Sequence, residues 1–334
     1  MKISVVITCF NLEKYIGQAI QSALNQSLSR DLYEIIVVDD CSTDKSAEVI
    51  SLYNVKYVKP RANVGVLGAM LLGLQCCRGD IICFLDGDDT WASDKLRLVL
   101  GRFDDNKRLI FLTHGYHYMN SYGDYVKGLE WTQAKLRGLE ASELSSRIKE
   151  GILNRSNYVW LGSAFSIRSN TEIIRSFSEW ANALPNKKCT YQDWTLAYWI
   201  AASGEGDFGY IDKPLLNYRI HGANYSGGIS SASVAARNWE KSYLTSVALL
   251  DICLRFQIDR SFLYVCSERM SRDFIMWRCI SYPAEIDLSM VARIFTLHLP
   301  FRAKLKDLIR LLLLRCLGSS ISYRLINAFQ LTRK

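Results

Sequence analysis

The chain has 334 residues, of which 49% are hydrophobic and 22% charged, with only 5 Pro and 20 Gly. This composition excludes a disordered, collagen-like or low-complexity chain and suffices to bury a large core. The net charge is +8, but residues 300–334 hold eight basic residues against Asp307 and so carry +7 of it. A body so close to neutrality argues against a nucleic-acid partner.

In chain order, Ile3–Ile7 is a short apolar run suited to a buried strand. Leu12–Leu24 carries a helical stripe through Tyr15, Ile16, Ala19, Ile20, Ala23 and Leu24. Glu34–Val38 predicts a second strand ending in Asp39-Asp40, after which Ser42, Thr43 and Asp44 offer N-caps for a helix reaching about Tyr53. Val55–Val58 predicts a third strand and Val66–Cys77 a helix. Ile81–Leu85 is a fourth strand, ending in Asp86-Gly87-Asp88-Asp89 before a helix over Ala92–Phe103. Continuous apolar strands alternating with helices predict a parallel sheet covered on both faces.

Farther along, His114 and His117 lie in a strand-like aromatic stretch and read as structural. Trp194–Ala202 is helical, with Asp193 at its start; Asn238–Phe256 and Ser261–Ile280 are the longest helical stretches of the second half. In the tail, Leu305, Leu308, Ile309, Leu312, Leu313 and Cys316 share one face of a basic helix. Its apolar run Leu311–Leu314 is far short of the ~20 residues that span a bilayer. Such a helix either lies on an anionic membrane surface or packs on the protein with a solvated rim.

The ten cysteines include no C-x-x-C pair, so neither a zinc site nor a disulfide scaffold is expected, but free, buried thiols in a reducing compartment. The start is too short in its apolar run for a signal peptide, and a cytoplasmic location is expected.

Ligands bind beyond the carboxyl ends of parallel strands. Asp39, Asp40, Asp86, Asp88 and Asp89 all fall at such ends. Carboxylates gathered there repel one another without a cation, and Mg²⁺ or Mn²⁺ takes carboxylate oxygen together with phosphate. Gly87 lets backbone approach a ligand closely. Taken alone, Asp86-Gly87-Asp88 is equally an acidic turn capping the next helix. No G-x-G-x-x-G follows the first strand and no P-loop lysine motif is present, which disfavours dinucleotide and P-loop sites.

Four segments in order carry a resemblance: Val5-Val6-Ile7-Thr8-Cys9-Phe10-Asn11, then Glu34 to Asp44, then Asn63-Val64-Gly65, then Phe84-Leu85-Asp86-Gly87-Asp88-Asp89. Together they resemble family-2 glycosyltransferases of the GT-A fold, specifically over residues 1–100 and more loosely to about residue 226. The resemblance implies an α/β fold, a Rossmann-like, mostly parallel sheet with a C-terminal helical extension. It implies that Phe10 and the backbone of Thr8 lie against the nucleobase and that Asp40 and Asn63 belong to the nucleotide site. Asp88 would reach ribose or metal, Asp89 the metal and diphosphate, and Asp86 would hold the loop. In Tyr191-Gln192-Asp193-Trp194, Asp193 would be the general base, its ionised form favoured by the free N–H groups of a helix start; otherwise it is a plain N-cap. In Tyr218-Arg219-Ile220-His221, Arg219 would pair with phosphate and His221 would ligate the metal or touch the diphosphate; otherwise His221 is a structural residue. Three positions depart from the family pattern: Phe10 for Tyr, Cys41 for Gly, and Gln192 for Glu.

The expected organisation is a catalytic domain over 1–228 (a nucleotide-sugar half, 1–105, and an acceptor half, 106–228), a helical extension over 229–299, and a membrane-associating tail over 300–334. Gly222, Gly227 and Gly228 around Ser226 suggest a lid, and Trp160-Leu161-Gly162-Ser163 a floor for the acceptor. The expected reaction is an inverting transfer of a sugar, with Mn²⁺ or Mg²⁺ as cofactor, from a nucleotide-sugar donor, most simply a UDP-sugar. Its acceptor would be a hydroxyl of a glycan or lipid-linked saccharide in surface polysaccharide assembly, at the inner face of the membrane. A sugar nucleotidyltransferase and a non-catalytic, membrane-docked nucleotide-sugar-binding protein are the alternatives.

Overall fold

A computed structural model describes residues 2–132, 134–156, 161–169, 171–221, 232–281 and 304–305. The chain divides into two units, Met1–His221 and Gly222–Lys334.

In the first unit the elements run β1 (Ile3–Cys9), α1 (Ile16–Leu24), β2 (Tyr33–Asp39), α2 (Ser46–Ser51), β3 (Lys56–Val58), α3 (Gly65–Cys76) and β4 (Ile81–Asp86). They continue with β5 (Thr90–Trp91), α4 (Lys95–Asp105), β6 (Leu109–Met119), β7 (Tyr125–Trp131), α5 (Ala141–Leu153), β8 (Ser166–Arg168), α6 (Thr171–Ala183), α7 (Gln192–Ser203) and β9 (Asp207–Arg219). One sheet takes the order β3-β2-β1-β4-β8-β6-β9-β5, with β7 alongside β6.

The first half is parallel, as the apolar runs predict. Thr8 pairs with Val38 on one side and Asp86 on the other, so three strand ends stand level. The second half supplies the antiparallel part of a sheet expected to be mostly parallel. There β8 runs antiparallel to β4 and β6, and β5 antiparallel to β9. Only β6 and β9 pair in parallel in that half among the described residues.

Burial explains the sequence patterns. On one face, Ile3, Val5 and Ile7 of β1 join Ile16, Ala19, Ile20 and Ala23 of α1 and Leu96, Val99 and Phe103 of α4 in one core cluster. On the other, Ile36 and Val38 meet Ala69 of α3, a helix apolar on most sides. The second helix is shorter than predicted, because its candidate caps serve a loop. Asp44 accepts the N–H groups of Ser46 (2.9 Å) and Glu13 (3.0 Å), and the Ser42 hydroxyl accepts that of Asn11 (2.9 Å).

In the second unit, α8 (Ala232–Arg255) and α9 (Arg260–Ser281) pair with each other. Buried Asp273 accepts hydroxyl hydrogen bonds from Ser242 (2.7 Å) and Ser246 (3.1 Å) and pairs with Arg272 (2.6 Å). Tyr243 and Trp277 stack at 5.5 Å. Cys9, Cys41, Cys76, Cys77, Cys83 and Cys189 are free thiols, and Cys253 Sγ lies 3.8 Å from Cys266 Sγ. Cys9, Cys83, Cys253 and Cys266 are buried, but Cys41, Cys76, Cys77 and Cys189 are half-buried, so full burial is not general. No helix among the described residues is long and apolar enough to cross a membrane. Apart from residues 304–305, the basic tail lies outside the described residues, as do Trp160 and the glycines around Ser226.

Candidate active site

The level ends of β1, β2 and β4 bring the sequence-predicted carboxylates to one edge of the sheet. Gly87 makes the β4 end fit there: its N–H donates to Thr8 O at 2.9 Å, and a Cβ would lie 2.8 Å from that same oxygen. The close approach expected of Gly87 is therefore to Thr8 backbone. The Thr8 hydroxyl donates to Asp86 Oδ1 at 3.3 Å, and Gln192 Nε2 reaches the same oxygen at 3.4 Å. Thr8, Asp86, Gly162 and Gln192 are among the residues lining one small opening.

The carboxylates crowd one another. Burial, then the charges of Asp88 and Asp193, push the Asp86 carboxyl up to about 7. Burial, then Asp88 and Asp86, hold the Asp89 carboxyl well above the usual range. Asp89 Oδ1 accepts the Arg219 N–H at 2.9 Å and the side chain is buried. Asp88 instead meets His221, with Oδ2 3.0 Å from Nε2.

These positions test the predicted Asp88, Asp89 and His221 metal set. Among the described residues no three His, Cys, Asp or Glu side chains form a ready cation cluster, and Asp89 is engaged with Arg219. The adjacent carboxylate oxygen of Asp88 and imidazole nitrogen of His221 fit a divalent cation that draws its other ligands from a diphosphate and water.

The Arg219 side chain is fully buried. Nε donates to Asp88 O (2.7 Å), one terminal nitrogen to Gln18 Oε1 (2.7 Å), and the guanidinium lies 4.9 Å from the Tyr15 ring centroid. His221 rests against the same ring at 4.6 Å. Arg219 thus braces the acidic loop from within. Tyr15 and Gln18, unassigned in the sequence reading, hold this segment. Their position on the loop-facing start of α1 was the available signal.

At the β2 end, Asp40 is buried and heavily engaged. Its Oδ1 accepts Val64 N–H (2.7 Å), and Oδ2 accepts Gly65 N–H and Asn63 Nδ2 (both 2.8 Å). Burial raises its carboxyl against these bonds. Asp40 and Asn63 therefore build the start of α3, leaving Oδ1 room for one further donor. Cys41 follows with φ +61°, which explains why the family pattern has glycine there. Phe10 is 47% exposed beside this edge, a free aromatic face.

Asp193 lies in the first turn of α7, its Oδ1 accepting Trp194 N–H at 2.8 Å. The predicted N–H groups are present, but burial outweighs them and pushes the carboxyl up to about 6. Gly162 backs it, where a Cβ would come 3.4 Å from Asp193 Cβ. His114 is structural as read: buried, kept neutral by burial, with Nδ1 2.8 Å from Gly115 O. His117 packs edge-on against Tyr125.

The site therefore combines an exposed ring, an acidic strand end with an oxygen–nitrogen donor pair, and a separate carboxylate that burial pushes up to about 6. Comparison with known proteins gives this arrangement a family. Residues 4–168 match the model for glycosyl transferase family 2. An uncharacterized glycosyltransferase of Nostoc sp. is 32% identical over 250 residues, covering 72% of this chain and 71% of that protein. The poly(ribitol-phosphate) beta-N-acetylglucosaminyltransferase TarS of Staphylococcus aureus is 28% identical over 153 residues, 44% of this chain but only 26% of that protein. The crystal structure of TarS 1-349 in complex with UDP-GlcNAc has a TM-score of 0.61 at 18% identity, covering 99% of this chain and 92% of that one. A Pyrobaculum calidifontis mannosyltransferase in complex with GDP-Man and Mn²⁺ has a TM-score of 0.51 at 14% identity, covering 88% and 79%. The architecture is the GT-A fold, and the chain belongs to glycosyltransferase family 2.

Proposed function

We propose that this enzyme transfers a sugar, with inversion, from a UDP-sugar to an acceptor hydroxyl, assisted by a divalent cation. The observation that carries the reading is Asp193, whose carboxyl is pushed up to about 6 beside the acidic strand end. At that value it is ionised at neutral pH yet basic enough to take a hydroxyl proton. As the acceptor oxygen bonds to the anomeric carbon, its proton passes to an Asp193 oxygen. The bond from that carbon to the diphosphate oxygen breaks on the opposite face, and the electron pair leaves with the nucleotide.

On the donor side, Phe10 would stack on the base and the spare lone pair of Asp40 Oδ1 would accept from base or ribose. Thr8, Asn63 and Asp86 shape the cradle. Asp88 and His221 would hold Mn²⁺ or Mg²⁺, which would neutralise charge on the departing diphosphate. Asp89 and Arg219 would keep Asp88 oriented. A uridine donor is supported by the UDP-GlcNAc complex of the TarS structure, and a metal by the Mn²⁺ complex of the mannosyltransferase.

For the acceptor, the poly(ribitol-phosphate) transferase relative supports a hydroxyl of a cell-surface polymer, and a lipid-linked precursor at the inner face of the membrane suits the basic, apolar tail. Residues 1–228 would form the catalytic domain, 229–299 the helical extension and 300–334 the membrane-associating tail. A panel of nucleotide sugars, scored for binding and donor turnover with Mn²⁺, Mg²⁺ or chelator, tests the donor reading. Metal-dependent use of a UDP-sugar is the expected result; turnover of none with metal present refutes it. Vesicle flotation tests the tail: equal recovery with anionic and neutral vesicles would refute that part.

A further inference from the structure

Beneath the acidic loop lies a lysine that the reaction as described does not use. Lys95 opens α4 and is fully buried. Its amine donates to Ser163 O at 2.9 Å and sits 3.7 Å from the Trp91 ring centroid. Trp91 Nε1 donates to the same Ser163 O at 3.0 Å. One backbone carbonyl thus receives two buried donors, which fills both its lone pairs.

The carbonyl belongs to a short segment with a working face on each side. The Ser163 hydroxyl accepts the Asp86 N–H at 2.9 Å, tying the segment to the end of β4. The neighbouring Gly162 stands against Asp193 and Gln192, 3.4 Å and 3.7 Å from where its Cβ would be. Ser163 is itself buried. The segment therefore spans from the donor loop to the base, and its position is fixed by what holds Ser163 O.

An apolar side chain of the same length would fill the Lys95 slot without the cost of desolvating an amine. Burial lowers that amine to about 7. Charged or neutral, it keeps a proton to donate, so the tie persists through the pH range of the reaction.

We infer that Lys95, with Trp91, is a positioning residue: by clamping Ser163 O it sets the spacing between the Asp86–Asp89 loop and Asp193. This rests on Asp193 being the base. Removing the clamp lets the base drift from the reacting atoms while Phe10 and Asp40, at the far end of the cradle, still hold the nucleotide.

The test uses the full chain carrying Lys95→Met or Trp91→Phe, the second keeping the ring but not its N–H. Each is measured for kcat, UDP affinity and amide hydrogen exchange at Asp86. For Lys95→Met the expectation is a fall in kcat of about 10- to 100-fold, the scale of a misplaced reacting group. UDP affinity stays within about twofold and Asp86 exchanges faster. Trp91→Phe, which leaves the Lys95 bond, shows the same split with a smaller fall. A folded Lys95→Met with wild-type kcat, or with UDP affinity reduced as far as kcat, overturns the clamp. If Lys95→Met does not fold, Trp91→Phe decides by the same criteria. Wild-type protein without donor turnover would mark failure of the proposed reaction instead. Asp86 exchange then still decides the clamp: unchanged rates in the variants overturn it and faster rates support it.

Discussion

Replacing Asp193 by Asn removes the proton acceptor while keeping the shape and the acceptor oxygen that faces Trp194 N–H. Loss of a positioned general base costs about 10²- to 10⁴-fold in rate, which is about 3 to 5 kcal/mol of barrier at 1.36 kcal/mol per decade. The same substitution has a thermodynamic signature of opposite sign. Burial moves the carboxyl from 3.8 unfolded to about 6 folded. An acid raised on folding costs stability only when ionised: nothing below pH 3.8, the full amount above about pH 6. At about 1.4 kcal/mol per pH unit, the full amount is about 3 kcal/mol. Asn never ionises, so Asp193→Asn is expected to match the wild type in stability near pH 4 and exceed it by up to about 3 kcal/mol at pH 8. Wild-type kcat/KM should rise with a midpoint near 6, falling to about a tenth of its plateau at pH 5. Thermal denaturation at the two pH values and transfer rates from pH 5 to 8 measure all three. A flat pH profile, or a variant keeping wild-type transfer, would refute the assignment.

Other perturbations separate the parts of the site. Gly65→Ala places a Cβ 2.4 Å from Lys188 O at φ +78°, and backbone cannot yield cheaply; a loss of about 3 kcal/mol or more, read from the denaturation midpoint, is expected. Asp88→Asn and His221→Ala should raise the Mn²⁺ concentration needed for half-maximal activity by about 10-fold or more, with UDP affinity in chelator unchanged. Arg219→Lys loses the fork that joins Asp88 O to Gln18 and should weaken metal-dependent turnover with the fold intact by circular dichroism. Asp40→Ala removes three hydrogen bonds at the start of α3 and should cost both stability, about 2 to 4 kcal/mol, and nucleotide binding, each read by titration.

Much of the first half was legible. The runs Ile3–Ile7, Glu34–Val38 and Ile81–Leu85 are apolar without alternation, which marks strands covered on both faces, and strand ends carry the carboxylates. The second half was less so, because β8 joins β4 and β6 across long sequence separations and a three-residue strand has no period to read. Lys95 was overlooked because helical stripes are drawn through apolar residues. Here the buried stripe of Val99 and Phe103, extended back one turn, passes through a lysine. The bracing by Arg219 was hidden for a related reason: the sequence shows a charge but not that Tyr15 and Gln18 stand against it. Asp193 shows the limit of local reasoning. The helix-start N–H groups were foreseen, yet burial, a property of the whole fold, sets the direction of the shift. Cys41 was visible only against the family pattern, and its φ of +61° gives that departure a backbone meaning.

The central claim is that Asp193 activates a nucleophile on the face opposite the leaving diphosphate. Water can serve as that nucleophile, so the acceptor need not be known. The direct measurement is the anomeric configuration of the first sugar released by hydrolysis of an α-linked UDP-sugar with Mn²⁺, followed by proton NMR before mutarotation. The account predicts the β-anomer, formed by the wild type and lost in Asp193→Asn. Release of the α-anomer, or β-anomer formed equally fast by the variant, would contradict it.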